Sequence, residues 1–372
     1  MKYLISFHNK QGLENIFPIA KLLSENKINE VALLDLRSMY AQPISNLEIP
    51  KNIKVIKERS VFKNIRKLNK LNKLIILFFK FLKIKYYGTY FDVYIFSPGG
   101  FYEGRLTKKF RNNSKKTYFI EAGAKIYLYL NSQKELQPKK NFLDNVNGYF
   151  TTGESPKIKL ENFTNKKNII FNYGVPRYTN IVTSFKTSSN DRSQKINNLL
   201  FLTSAASYHK VDWESSWQSK IIEEIINSSL SDNYILNIKV HPRDNFGDYE
   251  KYKSLKNVNI LHETDIESDI RENHCIISGP SSSIHEVSLI GRIYAVIWPF
   301  DDYKNEYLSP ESLVKNVDEL FKKISKLNND LNYQRNLFDM QLLGAQKFIN
   351  IDSDLSAKNI IAHIIKENNE RN

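Results

Sequence analysis

Residues 276–287 read Ile-Ile-Ser-Gly-Pro-Ser-Ser-Ser-Ile-His-Glu-Val. The apolar start predicts a short strand, and Gly279 with the proline after it predicts a turn. Ser281, Ser282 and Ser283 then lead into a predicted helix. A helix start presents unpaired backbone N–H groups and the positive end of its dipole, and serines there add caps and hydroxyls. The stretch therefore predicts a strand–turn–helix unit of an α/β fold, with a site for an anion, most simply a phosphate.

Two more strand ends in the same half of the chain carry polar residues. One apolar run ends in Thr203 and Ser204, and another ends in His241 and Pro242. Carboxyl ends of parallel strands meet at one edge of a sheet, so we expect all three strand ends to face one nucleotide. Taken singly, each of these residues also fits an ordinary turn.

The alternation of strands and helices starts twice, which is typical of two consecutive α/β domains. A chain of 372 residues is long enough for both. The polar, turn-rich residues 184–198 are the best linker. We predict one Rossmann-like domain over residues 1–184, a second over 199–348, and a C-terminal helix over 349–372.

Loops after two strands of the first half are candidates for binding a second substrate. His8 and Asn9 follow the first predicted strand, and Gly99 and Gly100 follow a later one. Paired glycines would let the backbone approach a sugar closely, although an ordinary turn explains them equally well.

Glu121 follows the apolar strand that ends at Ile120 and precedes Ala122-Gly123. A carboxylate at a strand end lies at the edge of the ligand crevice, and burial there raises a carboxyl pKa toward working pH. Glu121 is therefore the candidate general base.

Composition limits the environment of the protein. The chain has one cysteine, so no disulfide can form within it, which fits a reducing compartment and predicts a cytoplasmic protein. The net charge of +14 favours an anionic partner, unless it reflects a general bias toward lysine and asparagine. No nucleic-acid-binding motif is present.

Residues 63–85 have apolar residues at helical spacing, with lysine and arginine on much of the rest. Such a helix can lie on an anionic bilayer, at the inner face of a bacterial plasma membrane for example. It can equally pack on the sheet with a solvated basic face.

The motif order adds a resemblance. Glu121-Ala122-Gly123, His241-Pro242 and Ser281-Ser282-Ser283 stand in the order of an acid-acid-Gly, a His-Pro and a Ser-Ser motif. In this the chain resembles bacterial sialyltransferases and polysialyltransferases that use CMP-sialic acid and have the GT-B fold. In that fold two Rossmann-like domains face each other across a cleft. Ala122 departs from the pattern, which has a second acid there.

The resemblance implies an inverting, metal-independent glycosyltransferase without a cofactor. It would move sialic acid or a related nonulosonic acid from a CMP-sugar to a surface glycan, such as lipooligosaccharide or capsule. It implies Glu121 as the base and His241 as the group that stabilises the departing phosphate. It implies that Ser281 and Ser282 bind that phosphate, and that the first domain holds the glycan or glycolipid acceptor.

Three other functions stay open at this point. A capsule or teichoic-acid transferase that uses CMP-Kdo or CDP-glycerol would carry similar strand ends. A nucleotide-sugar epimerase shares the fold. From another class, a non-catalytic glycan- or nucleotide-binding protein would need the same pockets without the chemistry.

Overall fold

The computed structural model describes residues 1–36, 48–57, 81–98, 101–123, 143–187, 194–204, 212–228, 233–242, 244–279, 281, 283–298 and 308–370. Two compact units are present. Unit 1 consists of Met1–Val182 with Phe348–Asn372, and unit 2 consists of Thr183–Lys347.

Unit 1 is built on a parallel sheet. Its strands among the described residues are β1 (Lys2–Phe7), β2 (Glu30–Asp35), β3 (Ile53–Lys57), β4 (Val93–Phe96), β5 (Lys116–Ile120), β6 (Gly148–Phe150) and β7 (Ile170–Phe171). They lie in the order β3-β2-β1-β4-β5-β6-β7. The central strands are apolar almost throughout and almost fully buried, as expected where helices cover both faces of a parallel sheet.

Unit 2 has its own parallel sheet. The described strands are β8 (Asn198–Leu202), β9 (Ile235–Lys239), β10 (Val258–Leu261), β11 (Cys275–Ser278), β12 (Ile293–Ile297) and β13 (Leu313–Val314). Their order is β10-β9-β8-β11-β12-β13. Cys275 lies fully buried in β11, where burial raises its thiol pKa to about 12. It acts as a small apolar residue of the core.

Helices connect these strands. The described helices are α1 (Lys10–Glu25), α2 (Phe101–Asn112), α3 (Glu154–Phe163), α4 (Thr179–Thr187), α5 (Asp212–Asn227), α6 (Ile266–Glu272), α7 (Ser283–Ile290), α8 (Val317–Asn329), α9 (Leu331–Phe348) and α10 (Ser356–Asn369). Residues 81–90 are helical as well. The alternation of strands and helices follows from apolar stripes in the helices and continuous apolar runs in the strands.

The C-terminal helix α10 belongs to unit 1. The hydroxyl of Tyr118 on β5 donates to Oε2 of Glu367 over 2.6 Å. The His363 ring packs at a tilt against Phe171 of β7, with 4.2 Å between the ring centroids. The chain thus leaves unit 1, builds unit 2, and returns.

The predicted α/β fold with two Rossmann-like domains is confirmed. Strands β3 and β13 were missed, because β3 alternates lysine with aliphatic residues at the sheet edge and β13 has only two residues. Most of the predicted basic helix at 63–85 lies outside the described residues. The described helix at 81–90 exposes 61% of Phe81 and 53% of Tyr86. Within the described part of the chain, no helix has the length and apolarity needed to cross a membrane.

Candidate functional site

The strand ends singled out in unit 2 lie level at one edge of its sheet. Leu202 at the end of β8 pairs with Lys239 of β9 on one side and with Ser278 of β11 on the other. The strand order reverses direction between β8 and β11. Ligands of open α/β sheets bind outside the carboxyl ends of the strands at such a switch point. We call the residues that follow these three strands the unit 2 edge.

Thr203 and His241 are held together at the unit 2 edge. The backbone N–H of His241 donates to Oγ1 of Thr203 over 2.8 Å, and the N–H of Thr203 donates to the carbonyl of Lys239 over 3.1 Å. Thr203 is buried, while His241 is half-buried and Pro242 is exposed. The backbone that carries the imidazole is therefore fixed, and the ring lies near the surface.

A buried amide supports the neighbouring loop. Gln218 of α5 accepts the backbone N–H of Ser204 over 2.7 Å and donates to the hydroxyl of Tyr249 over 2.7 Å. That hydroxyl donates to Oδ2 of Asp244 over 2.6 Å. Burial first, and the hydrogen bond to Asp244 second, raise the pKa of Tyr249. Sequence reasoning missed this network, because its members lie on a helix and in two loops with no shared motif.

Four polar atoms at or beside this edge are buried without a partner among the described residues. They are Oγ of Ser204, Oδ1 of Asp244, Oγ of Ser278 and the indole Nε1 of Trp217. A buried donor or acceptor that bonds to nothing costs about 1–3 kcal/mol, so native proteins leave few of them except where a ligand, ion or water completes the site. The unit 2 edge therefore has the unmet hydrogen-bonding capacity that a polar ligand requires.

Gly279 follows Ser278 and lies against Trp217. A Cβ atom at position 279 would stand 3.3 Å from the indole ring, so a side chain there would crowd it. Oγ of Ser281 accepts the N–H of Ser283 over 3.3 Å, which is a weak cap at the start of α7. Ser282 lies outside the described residues.

The two residues after these serines on α7 are interior. His285 is 1% exposed and Glu286 6%. Burial lowers the pKa of the His285 imidazole to about 3, so this ring is neutral near pH 7.

Unit 1 presents a corresponding row of strand ends, which we call the unit 1 edge. Glu121 follows β5 as predicted, but it is fully buried. Its Oε2 accepts the backbone N–H of Thr152 over 3.2 Å and its hydroxyl over 3.5 Å. The hydroxyl of Tyr149 lies 3.5 Å from Oε1. The carboxylate that we predicted as a base is thus bonded to the protein's own groups, and its role as a base stays a prediction.

Asn15 of α1 ties this edge together. Its Nδ2 donates to the Glu121 carbonyl over 2.8 Å and to Oγ of Ser97 over 3.2 Å, and its Oδ1 accepts the N–H of Arg177 over 3.2 Å. The Arg177 guanidinium donates to the carbonyl of Ala122 over 3.1 Å. Asn15 is fully buried. The sequence signal was a polar residue on the apolar face of a predicted amphipathic helix, and sequence reasoning overlooked it.

The two residues after β1 have separate roles. Oδ1 of Asn9 accepts the N–H of Gly12 over 2.7 Å and caps α1. Nδ1 of His8 lies 2.8 Å from Oε1 of Glu103 on α2. Glu103 is 2% exposed. Gly99 and Gly100 lie outside the described residues, so their predicted contact with a substrate is not described.

Among the residues that the structure describes, no group of three histidine, cysteine, aspartate or glutamate side chains could hold a metal ion. The unit 1 edge offers carboxylates and an imidazole, and the unit 2 edge offers hydroxyls, an indole N–H, an imidazole and the Asp244 carboxylate. Apart from that carboxylate, the second set suits an uncharged or anionic polar ligand more than a cation.

No family model and no curated protein sequence matches the chain. Solved structures do match, and the matched proteins are enzymes with the GT-B type of fold. A UDP-GlcNAc 2-epimerase from Methanocaldococcus jannaschii, solved with UDP-GlcNAc and UDP, has a TM-score of 0.62 at 16% identity, over 98% of this chain and 100% of that one.

Two further structures match over similar lengths. The MnaA protein of S. aureus, solved with UDP, has a TM-score of 0.65 at 13% identity, over 99% of this chain and 97% of that one. The wall teichoic acid polymerase TagF has a TM-score of 0.59 at 14% identity, over 100% of this chain and 89% of that one. At these identities the likeness shows the fold.

These comparisons correct the resemblance drawn from the sequence. Several matched structures are named UDP-GlcNAc 2-epimerases, so the assignment to sialyltransferases is wrong. The function built on it, transfer of sialic acid to a surface glycan, is wrong with it, and so is the CMP-sugar donor. The physical reason is that each motif has only two or three residues and marks a strand end of the fold, which enzymes with other substrates share.

Proposed function

We propose that the chain is an enzyme that binds a UDP-sugar and inverts the configuration at C2 of an N-acetylhexosamine. The observation that carries this proposal is the likeness in fold along nearly the whole of both chains to UDP-GlcNAc 2-epimerases. Structures in that group were solved with UDP or UDP-GlcNAc bound.

The unit 2 edge is the place for the nucleotide in this proposal. Ser204 and Ser278 have buried hydroxyls without partners among the described residues, and hydroxyls of this kind can donate to phosphate oxygens. The adjoining α7 directs its N-terminus toward the same turn, and a helix N-terminus favours an anion. His241, on its fixed backbone, would contact the diphosphate.

Epimerisation at a carbon breaks its C–H bond and forms it again on the other face. The enzyme must therefore supply groups that accept and return a proton. The imidazoles of His8 and His241 are partly accessible, whereas the Glu121 carboxylate is fully buried. The proposal assigns no metal to this chemistry, so activity should persist in a chelator.

Binding is the first test. Isothermal titration of the purified protein should show UDP binding, with CMP at least about tenfold weaker, which corresponds to about 1.4 kcal/mol. Ser278→Ala should weaken UDP binding, while Ser356→Ala should leave it unchanged. Ser356 is a matched control because its hydroxyl is also buried without a described partner, but it lies in unit 1. A protein that binds no UDP would refute the proposal.

Turnover is the second test. Proton NMR of UDP-GlcNAc incubated with the enzyme in D₂O should show the C2 epimer and deuterium at C2. EDTA should not change the rate. UDP binding without any change in the sugar would contradict the epimerase and favour a non-catalytic binder.

A further inference from the structure

A histidine held by a buried carboxylate stands at the unit 1 edge. Nδ1 of His8 and Oε1 of Glu103 are 2.8 Å apart, a hydrogen-bonding distance. The His8 side chain is 34% exposed and that of Glu103 3%. The pair therefore has one end inside the unit and one at its surface.

The carboxylate determines what the imidazole can do. Glu103 accepts the hydrogen of Nδ1, so in the neutral ring the lone pair is on Nε2. Among the described residues Nε2 has no hydrogen-bond partner. A carboxylate behind an imidazole fixes its tautomer and orientation and favours the imidazolium that forms when Nε2 takes a proton. This is the arrangement of a general base rather than of a structural hydrogen bond.

The pair also lies where a ligand is expected. The order β2-β1-β4-β5 reverses direction between β1 and β4, and His8 is the first residue after β1. Such a switch point is the ligand crevice of an open α/β sheet. Gly12 brings α1 against the loop after β4 so closely that a Cβ atom there would stand 2.1 Å from the carbonyl oxygen of Ser97. The backbone next to His8 is therefore held by close packing between α1 and the loop after β4, at the switch point.

We propose that His8 is the proton-transfer residue of unit 1 and that Glu103 is its positioning residue. Nε2 of His8 takes the proton from C2 of the sugar, and the electron pair of that C–H bond forms a double bond between C1 and C2 as UDP leaves with the electron pair of its C1–O bond. UDP then adds back to C1 while a proton returns to the other face of C2. This inference rests on the proposed function for the nature of the substrate. It replaces Glu121, which is fully buried, with a group that a sugar can reach.

The neighbouring titratable groups do not compete for this role. Tyr94 on β4 lies close enough for the charge of Glu103 to contribute to raising its pKa, after the larger effect of burial. Its hydroxyl is 2.7 Å from Oγ of Ser6. Tyr102 is the other titratable neighbour that acts on Tyr94. Glu103 is the charged group that bonds to the ring.

The test uses the full chain with His8→Gln, Glu103→Gln and the control His274→Gln. His274 is a half-buried histidine of unit 2 that directly precedes β11, at the end of the sheet opposite the unit 2 edge, where its Nδ1 accepts the N–H of Asn197 over 3.1 Å. With UDP-GlcNAc as substrate, His8→Gln should lower kcat at least about 100-fold with unchanged UDP affinity. Glu103→Gln should lower kcat by less than His8→Gln does and leave KM unchanged, since the imidazole loses the partner that orients it while the sugar site stays intact. Glu103→Asp, which keeps a carboxylate, should recover part of the rate. His274→Gln should match the wild type.

Unchanged kcat in a folded His8→Gln variant, or a Glu103→Asp variant no more active than Glu103→Gln, would overturn the proposal. Thermal unfolding shows whether each variant is folded, and His8→Asn serves as the second variant if His8→Gln is not. If the wild type turns over no UDP-sugar, the proposed function fails by itself. NMR of the histidine rings then tests the role of His8 separately. Adding UDP-GlcNAc should change the chemical shifts of His8, and adding UDP alone should not. His8 signals that do not respond to the sugar would overturn the inference.

Discussion

The two sheet edges of this protein carry similar polar residues but use them differently. At the unit 1 edge, Asn15 and Glu121 bond to Ser97, Thr152 and backbone groups of their own unit. At the unit 2 edge, buried hydroxyls and an indole N–H have no partner among the described residues. The groups of the first edge bond to one another, whereas the second edge keeps hydrogen-bonding groups that a ligand can use. Equivalent substitutions should therefore affect stability in unit 1 and affinity in unit 2.

The largest change in stability is expected for Gly12→Ala at the unit 1 edge. Its Cβ atom would stand 2.1 Å from the backbone oxygen of Ser97, and a backbone oxygen can move only if the whole loop moves. We expect a loss of about 3 kcal/mol in the free energy of unfolding, measured in urea. Gly247→Ala is the matched control, because its nearest contact would be an ordinary 3.5 Å from a flexible side-chain atom. Equal stability of the two variants would show that unit 1 is not rigid at this point.

The pH dependence of stability should show the effect of the buried His285 of α7, next to the unit 2 edge. His285 has a pKa of about 3 in the folded protein, because it is buried, against about 6.5 when unfolded. The unfolded state then binds more protons below pH 6.5, so stability falls as the pH falls from about 6.5 toward 3. From this group alone the free energy of unfolding should drop by about 2 kcal/mol between pH 7 and pH 5. His285→Gln should flatten that part of the profile, and an unchanged slope would contradict the assignment.

Glu121→Gln tests whether the Glu121 carboxylate is structural or catalytic. Losing the charged acceptor of the Thr152 N–H should cost about 1 kcal/mol in the free energy of unfolding. Affinity for UDP, measured by titration calorimetry, should not change. If the variant kept full stability while its turnover rate fell by at least about 100-fold, Glu121 would be restored as the base.

The smallest change in stability is expected for Ser278→Ala at the other edge. Its hydroxyl has no partner among the described residues, so its removal should leave the free energy of unfolding within about 0.5 kcal/mol of the wild type. UDP affinity should fall several-fold in the same protein. A stability loss as large as that of Glu121→Gln would mean that the two edges do not differ in the way described.

The sequence was sufficient for the elements that depend on pattern. Apolar runs located the strand before His8, which is β1, and the strand before Gly279, which is β11. The polar residues after β8 and β9 located two strand ends that prove to be adjacent. Side-chain direction could not be predicted in this way. Position 121 was correctly placed at a strand end, but whether its carboxylate faces a ligand or the interior depends on Thr152, which is 31 residues away.

Contacts between residues far apart in the chain could not be predicted from the sequence either. Glu103 lies on the buried face of α2, and nothing in its own helix indicates that His8 is its partner, 95 residues earlier. The same limit explains the mistaken family. Short motifs report strand ends, and strand ends recur in every enzyme of this architecture, whereas substrate choice depends on how loops from different strands combine.

The return of the last segment to unit 1 has a consequence for biosynthesis. Because α10 packs on Tyr118 and Phe171, residues that leave the ribosome far earlier, unit 1 lacks part of its own interior until the residues after 347 have been synthesised. Unit 2 is contiguous in the chain and can fold while unit 1 is still incomplete. A chain truncated after residue 347 should therefore contain a protease-resistant unit 2 beside a protease-sensitive unit 1.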